Sequence, residues 1–226
     1  WEYGFPELSG RRERIRASKR ITNPGCHAGG FIALVEPLVR EKIISTDLAL
    51  SCFSVTGYSG GGKKMISEYE SGGRDISLDS PRQYGLTQSH KHLPEMTLIP
   101  GLSVPPVFCP VVADYYSGLQ VTVPLFAKGI RGSVADIVDI FKSVYKGPVV
   151  HFEDNVSDGG FLAANSLSGR DDMEIFVAGN NERILLISRF DNLGKGAAGA
   201  AVQNMNLAIG APETEGLILG GTLYEV

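Results

Sequence analysis

Val104–Phe126 reads VPPVFCPVVADYYSGLQVTVPLF. Two apolar runs, Val104–Val112 and Gly118–Phe126, follow one another with no helical segment between them, and both have strand composition. Working outward, Asp47–Thr56 (DLALSCFSVT), Val149–Phe152, Met173–Ala178 and Arg183–Arg189 read as further strands. Helices are fewer. Gly30–Arg40 (GFIALVEPLVR) suits a buried helix, interrupted late by Pro37. A short helix is expected to end near Tyr69. Ser133–Tyr145 has apolar residues at 134, 137, 138, 141 and 144, which is helical spacing with Ser133 as N-cap. Gly196–Ile209 is a helix rich in small residues, suited to close packing. Strands that adjoin strands predict an α+β fold with a mixed or antiparallel sheet. The stretches 1–20 and 71–88 are polar and irregular, and neither an internal repeat nor a long low-complexity linker is present.

At 226 residues, the length suits one large domain or two small ones, and 43 % hydrophobic residues can bury a core. A net charge of -4 gives no broad basic field, so nucleic acid is not an expected partner. The basic cluster Arg11, Arg12, Arg14 and Arg16 reads as a solvated face. No run approaches the ~18 apolar residues of a membrane span, and no signal peptide is recognisable, so a cytoplasmic location is expected. Three cysteines without pairing spacings fit a reducing compartment. The chain opens at Trp1 on residues that read as protein interior, which suggests an excised or processed chain.

Four places carry candidate chemistry. Cys26, in Asn23-Pro24-Gly25-Cys26, stands after a turn and before a helix, where backbone N–H groups lower a thiol pKa and hold an oxyanion. Against this stands an inert buried thiol, the reading preferred for Cys52 and Cys109. His90 and His92 flank Lys91 in a polar stretch; on an extended segment they would point to opposite faces, one toward a thiol. Their spacing matches no zinc signature, so no metal is expected. Gly57–Gly62, with Ser59 and Gly60 and then Lys63 and Lys64, reads as a flexible loop able to cradle an anion or merely to meet solvent. It is neither a P-loop nor a dinucleotide fingerprint. Asp191–Ala197 is a glycine-punctuated entry to the last long helix.

Five segments in this order, YGFPEL (Tyr3–Leu8), NPGC (Asn23–Cys26), GYSGGGKK (Gly57–Lys64), YGL…HKHLPEM (Tyr84–Met96) and DNLGKGAAGAAVQNMNLAIG (Asp191–Gly210), resemble the shorter subfamily of N-acetyl-gamma-glutamyl-phosphate reductases. The resemblance implies a glyceraldehyde-3-phosphate dehydrogenase-like catalytic domain whose mixed sheet is largely antiparallel. Residues 1–190 would form the catalytic and dimerisation domain, with 1–22 as a trailing edge of the nucleotide domain. Residues 191–226 would return to a nucleotide-binding domain, most of which the chain is expected to lack. It implies Cys26 as nucleophile, His92 as the favoured acid/base with His90 assisting or binding substrate, and Ser59, Gly60 and Tyr84 near the substrate. Lys195, Gly196 and Ala197 would approach the nicotinamide of NADP. An acyl phosphate is the implied substrate and a homo-oligomer the implied assembly.

In the chemistry this implies, the thiolate attacks the acyl phosphate, phosphate leaves, and hydride reduces the resulting thioester. Hydride transfer needs a nicotinamide held about 3–3.5 Å from the thioester carbon, so the chain alone is expected to be inactive as a reductase. The family usually follows NPGC with Tyr or Phe and then, two residues on, Thr, where this chain reads Cys26-His27-Ala28-Gly29. His27 is therefore expected to perturb the thiol. The competing readings are an aspartate-semialdehyde dehydrogenase, a cofactor-independent cysteine hydrolase, and a non-enzymatic binding or oligomerisation module.

Overall fold

A computed structural model describes residues 1–155 and 159–220. In chain order the elements are β1 (Glu2–Tyr3), α1 (Arg11–Ala17), β2 (Ile21–Thr22), α2 (Cys26–Arg40), β3 (Ser51–Gly57), α3 (Gly62–Glu70), β4 (Arg82–Gln83), α4 (Leu93–Leu98), β5 (Val107–Ala113), β6 (Leu119–Phe126), α5 (Val134–Val144), β7 (Val150–Phe152), β8 (Met173–Gly179), β9 (Arg183–Phe190) and α6 (Gly199–Ile209). Seven strands form one sheet in the order β4-β5-β3-β6-β9-β8-β7, while β1 and β2 make a separate parallel pair. Only β3 with β5 and β7 with β8 run parallel in the large sheet; its other four pairings are antiparallel, as expected.

Alternation sets the two faces of this sheet. In β6, Leu119, Val121, Val123 and Leu125 point inward and are buried, with Gln120, Thr122 and Pro124 between them less so. The inward face is covered by α2 and α5, which also pack on each other. Eleven of the fifteen residues of α2 are buried, so it is the central element of the core and not a surface helix. Its apolar run suits that place, and its end is managed in detail. Pro37 has no N–H, so the Ala33 carbonyl one turn earlier loses its helical donor. The buried Tyr145 hydroxyl, at the end of α5, donates to that carbonyl at 2.6 Å. Ser133 caps α5 as expected, in a capping box with Asp136.

Several boundaries differ from expectation. The helix expected from Gly30 starts at Cys26, because the preceding Pro24-Gly25 turn is already extended at Gly25, the N-cap. The strand expected from Asp47 starts at Ser51, where pairing with β5 begins. Within 71–88 lie a 3₁₀ turn at Ile76–Asp79 and the short edge strand β4. The arginine cluster on α1 is not simply a solvated face: Arg11 and Arg14 pair with Glu2, and Arg12 pairs with Glu213. Residues 1–22 and 191–220 are joined by these contacts and by packing of α1 on α6; residues 221–226 of the expected carboxy-terminal segment lie outside the described residues. No helix among the described residues is long and apolar enough to cross a membrane.

The Pro37–Tyr145 compensation is testable. Tyr145→Phe removes only the hydroxyl and leaves the Ala33 carbonyl buried without its donor. A loss of about 1–3 kcal/mol is expected in urea-denaturation stability, and an unchanged midpoint would contradict this account.

Candidate active site

The amino end of α2 opens onto a cleft of about 530 Å³ whose wall includes Cys26, His27, Ser59, Tyr84, His90 and His92. They arrive on four different pieces of the fold. Cys26 and His27 form the head of α2; Ser59 lies in a 3₁₀ turn at Tyr58–Gly61 that follows β3; Tyr84 follows β4; and the histidine pair leads into α4. The sheet and α2 thus bring together residues widely separated in the chain.

The turn before Cys26 is fixed from several sides. Glu95, on α4, accepts hydrogen bonds from the Gly25 N–H and from the Tyr3 hydroxyl, both at 3.0 Å. Asn23 donates to the Ala197 carbonyl at 2.8 Å, and Asn204 donates to the Gly4 carbonyl and to Asn23. Gly25 is required by close approach. A Cβ there would stand 2.3 Å from Nε2 of His92, so the imidazole lies directly against the backbone preceding the thiol.

His90 and His92 do not face opposite ways, as an extended segment would require. The chain turns at Lys91–His92, and His92 is the helical N-cap of α4. The two rings meet edge to face at 4.7 Å, and the His92 N–H donates to Nδ1 of His90 at 3.2 Å. His27 completes a cluster, with ring centroids 5.6 Å from His92 and 6.0 Å from His90. Its Nδ1 bonds Ser54 Oγ at 2.6 Å and its Nε2 bonds the Tyr84 hydroxyl at 2.7 Å. Among the described residues, Nδ1 of His92 is buried without a hydrogen-bond partner.

The thiol and the imidazoles of the site are uncharged, with Lys91 beside them on the cleft wall. Burial pushes the Cys26 thiol up to about 11, against the lowering effect of the His27 and Cys26 backbone N–H groups and of Lys91. The helix-start amides therefore act in the expected direction but lose to desolvation, which reverses the expected sign. Burial, with the neighbouring His90 and Lys91, brings His92 down to about 4. Burial also lowers His90, and it holds His27 well below the ordinary imidazole range with help from His92, His90 and Lys91. Near neutral pH the free site is thus a thiol among neutral imidazoles.

The start of the glycine loop is tied to the segment that follows β5 and to Asn192. The Tyr58 and Ser59 N–H groups donate to the Tyr115 and Tyr116 carbonyls, and Ser59 Oγ accepts from Asn192 at 2.9 Å. Asn192, which also lines the cleft and accepts from the Gly118 N–H, lies within the Asp191–Ala197 candidate segment, although the sequence gives it no role of its own. Asn23 was missed likewise, within the NPGC segment itself. At the last turn, Gly196 and Ala197 line the cleft. Lys195 does not: its ammonium is buried against Glu7, at 2.9 and 3.0 Å, and against Gln203 at 2.6 Å.

Gly194, Gly196 and Gly199 have the G-x-G-x-x-G spacing after a strand, yet protein atoms back every one. Added Cβ atoms would meet the Arg170 carbonyl oxygen at 2.0 Å, Cys26 Cβ at 3.0 Å and Asp171 Oδ1 at 2.2 Å respectively. The turn is π-helical, and the Gly196 and Ala198 N–H groups are spent on the Asp191 and Leu193 carbonyls. Among the described residues no set of three or more His, Cys, Asp or Glu side chains is placed to hold a metal ion.

Because the free thiol is raised to about 11, its alkylation by iodoacetamide should be slow at neutral pH and still climbing at about pH 9–10. Mass spectrometry of the Cys26 peptide separates this from Cys52 and Cys109. A rate that levels off below about pH 8 would show an already ionised thiol.

Residues 26–192 match the family model described as semialdehyde dehydrogenase, dimerisation domain. The chain is 40 % identical over 232 residues to N-acetyl-gamma-glutamyl-phosphate reductase 2 of Nostoc sp. (strain PCC 7120), covering 96 % of this chain and 72 % of the relative. It is 41 % identical over 219 residues to N-acetyl-gamma-glutamyl-phosphate reductase of Brucella anthropi, covering 93 % and 70 %. Among solved structures, aspartate semialdehyde dehydrogenase II of Vibrio cholerae superimposes with a TM-score of 0.65 at 18 % identity, over 92 % of this chain and 67 % of that one. The enzyme from Francisella tularensis gives 0.63 at 14 %, over 90 % and 70 %. The structural likeness establishes the expected glyceraldehyde-3-phosphate dehydrogenase-like α+β fold, and the sequence relatives at 40 % identity narrow it further: the chain belongs to the N-acetyl-gamma-glutamyl-phosphate reductase family.

Proposed function

We propose that this chain carries the acyl-transfer chemistry of an N-acetyl-gamma-glutamyl-phosphate reductase, converting the acyl phosphate to N-acetylglutamate semialdehyde through a thioester on Cys26, in arginine biosynthesis. The observation that supports this best is the convergence of Cys26 with His90 and His92 in one cleft, the His92 ring packed against the turn that precedes the thiol.

Cys26 attacks the carbonyl carbon of the acyl phosphate. The thiol of the free site is protonated, so its proton leaves as the C–S bond forms. His92 is the proton acceptor: it is neutral, and Nε2 faces the Cys26 turn. The oxyanion accepts from the Cys26 and His27 N–H groups at the helix head. Collapse of the tetrahedral species expels phosphate, with the Lys91 ammonium at the cleft wall offsetting its charge. Dividing one hard reduction into acyl transfer and reduction lowers each barrier. In the second half, His92 returns its proton as the C–S bond breaks and the aldehyde departs. Ser59, Gly60 and Tyr84 contact the substrate from the opposite wall, and His90 steadies His92.

A nicotinamide dinucleotide, for which NADPH is proposed, supplies the hydride when bound. The residues present fit its nicotinamide end. Gly196 and Ala197 border the cleft beside Cys26, and Gly196 is packed so closely that Cys26 Cβ would stand 3.0 Å from an added Cβ. Lys195 serves there as the anchor of this turn through Glu7, not as a ligand. The 226 residues by themselves are proposed to show thiol chemistry with little reductase turnover. A homo-oligomer completes the proposal, because the sheet face away from α2 exposes Phe53, Val107 and Leu185.

The test is NADPH-dependent turnover of the full-length protein. Cys26→Ala should abolish it, by about 10⁴-fold or more, and His92→Asn should lower kcat by about 10²–10⁴-fold. The acetylglutamyl phosphate should exceed aspartyl phosphate in kcat/KM. Retained turnover in Cys26→Ala, or preference for the aspartyl substrate, would refute the assignment.

A further inference from the structure

The family resemblance places an aromatic residue after the catalytic cysteine, and this chain has His27 there. The imidazole is 3 % exposed, and both its ring nitrogens are engaged. It links the head of α2 to Ser54 on β3 and to Tyr84 on the cleft wall. A neutral imidazole donates through one nitrogen and accepts through the other, so two arrangements are available.

In the first, Nδ1–H donates to Ser54 and the Tyr84 hydroxyl donates to Nε2. The Ser54 hydroxyl hydrogen then needs another acceptor. Ser54 is 1 % exposed, and among the described residues its side chain has no second hydrogen bond. In the second, Ser54 donates to Nδ1, and Nε2–H donates to the Tyr84 oxygen. Every buried hydrogen is then used, and only acceptor lone pairs are left over, the less costly deficit. The second arrangement also frees the Tyr84 hydroxyl hydrogen to point into the cleft that holds Cys26.

We infer that His27 is a positioning residue: bonded between Ser54 and Tyr84, it accepts from the first and donates to the second, so that Tyr84 donates its own hydrogen to an oxygen of the acyl phosphate. The chain Ser54→His27→Tyr84→substrate runs in one direction, and each bond polarises the next. Phenylalanine at position 27 would break it at both ends, leaving Ser54 unpaired and Tyr84 free to rotate. The role of the relay in catalysis rests on the proposed acyl transfer at Cys26; the direction of its hydrogen bonds does not.

The test has two arms, both on full-length protein. ¹⁵N NMR of histidine-labelled protein, with the His27 signals assigned by their loss in His27→Phe, should show hydrogen on Nε2 and none on Nδ1, in wild type and equally in Cys26→Ser. Hydrogen on Nδ1 overturns the inference whatever the reaction is. In kinetics, Tyr84→Phe should lower kcat by about 10–100-fold, less than the ~10²–10³ of a sole oxyanion donor because the helix-head amides remain. His27→Phe should produce a loss of similar size in wild type and none on top of Tyr84→Phe, and His27→Gln, which can still accept and donate, should recover part of it. Losses that multiply in the double variant overturn the relay even if Cys26 proves essential. Turnover that survives Cys26→Ala would instead refute the acyl-transfer reading while leaving the NMR result standing.

Discussion

The carboxylate of Glu95 is the junction on which the site depends. It takes the Gly25 N–H and the Tyr3 hydroxyl at 3.0 Å each, and its own helix begins at the histidine pair. Three segments far apart in the chain are thereby set at fixed separation: the amino-terminal strand, the thiol turn and the imidazoles. Hydrogen bonds to a charged acceptor contribute about 1.5–3 kcal/mol each, enough to hold a turn but small beside the burial of α2. The apolar packing of α2 makes the scaffold, and Glu95 sets the register of the chemistry upon it. A second polar web does the same for the opposite wall. Lys195, Glu7 and Gln203 form a buried set beneath the Gly196 turn, and Glu213 extends it to Arg12.

Burial and helix-end electrostatics compete at Cys26, and their magnitudes decide the outcome. A helix terminus stabilises a charge by about 0.3–1 kcal/mol, and by ~2 kcal/mol in favourable partly buried positions. Raising the thiol from 9.0 to about 11 corresponds to roughly 3 kcal/mol against the thiolate, so desolvation exceeds the helix term. The same burial keeps the imidazoles neutral. The proposed acyl transfer would therefore start from a neutral thiol and neutral imidazoles, with the helix-head amides already oriented and Lys91 on the cleft wall. That is consistent with a nucleophile protected from oxidation until substrate arrives.

Much of this was legible in the sequence because it rests on local rules. The strand composition of Gly118–Phe126, the helical spacing of Ser133–Tyr145 and its serine cap all survive in the structure. Cys26 and the histidine pair stood out because the thiol follows a turn at a helix start, the imidazoles cluster in a polar stretch, and both fall in segments that carry the reductase resemblance. The remainder depended on tertiary placement. The ring orientations of His90 and His92 followed a turn that an extended reading could not supply. The sign of the Cys26 shift depended on how deeply α2 is covered. The resemblance places Lys195 toward the nicotinamide, but Glu7, far away in sequence, claims its ammonium. The G-x-G-x-x-G spacing of Gly194, Gly196 and Gly199 serves close packing, a distinction invisible without the atoms behind each glycine.

The central claim is covalent: an acyl group passes from phosphate to Cys26. The most direct measurement mixes full-length protein with the acyl phosphate in the absence of any nicotinamide cofactor, quenches in acid, and maps the adduct by peptide mass spectrometry. The account predicts one acyl group, on Cys26, released by hydroxylamine as a thioester is, together with one phosphate per site. Phosphate release with no adduct on Cys26, or an adduct at Cys52 or Cys109 instead, would contradict it.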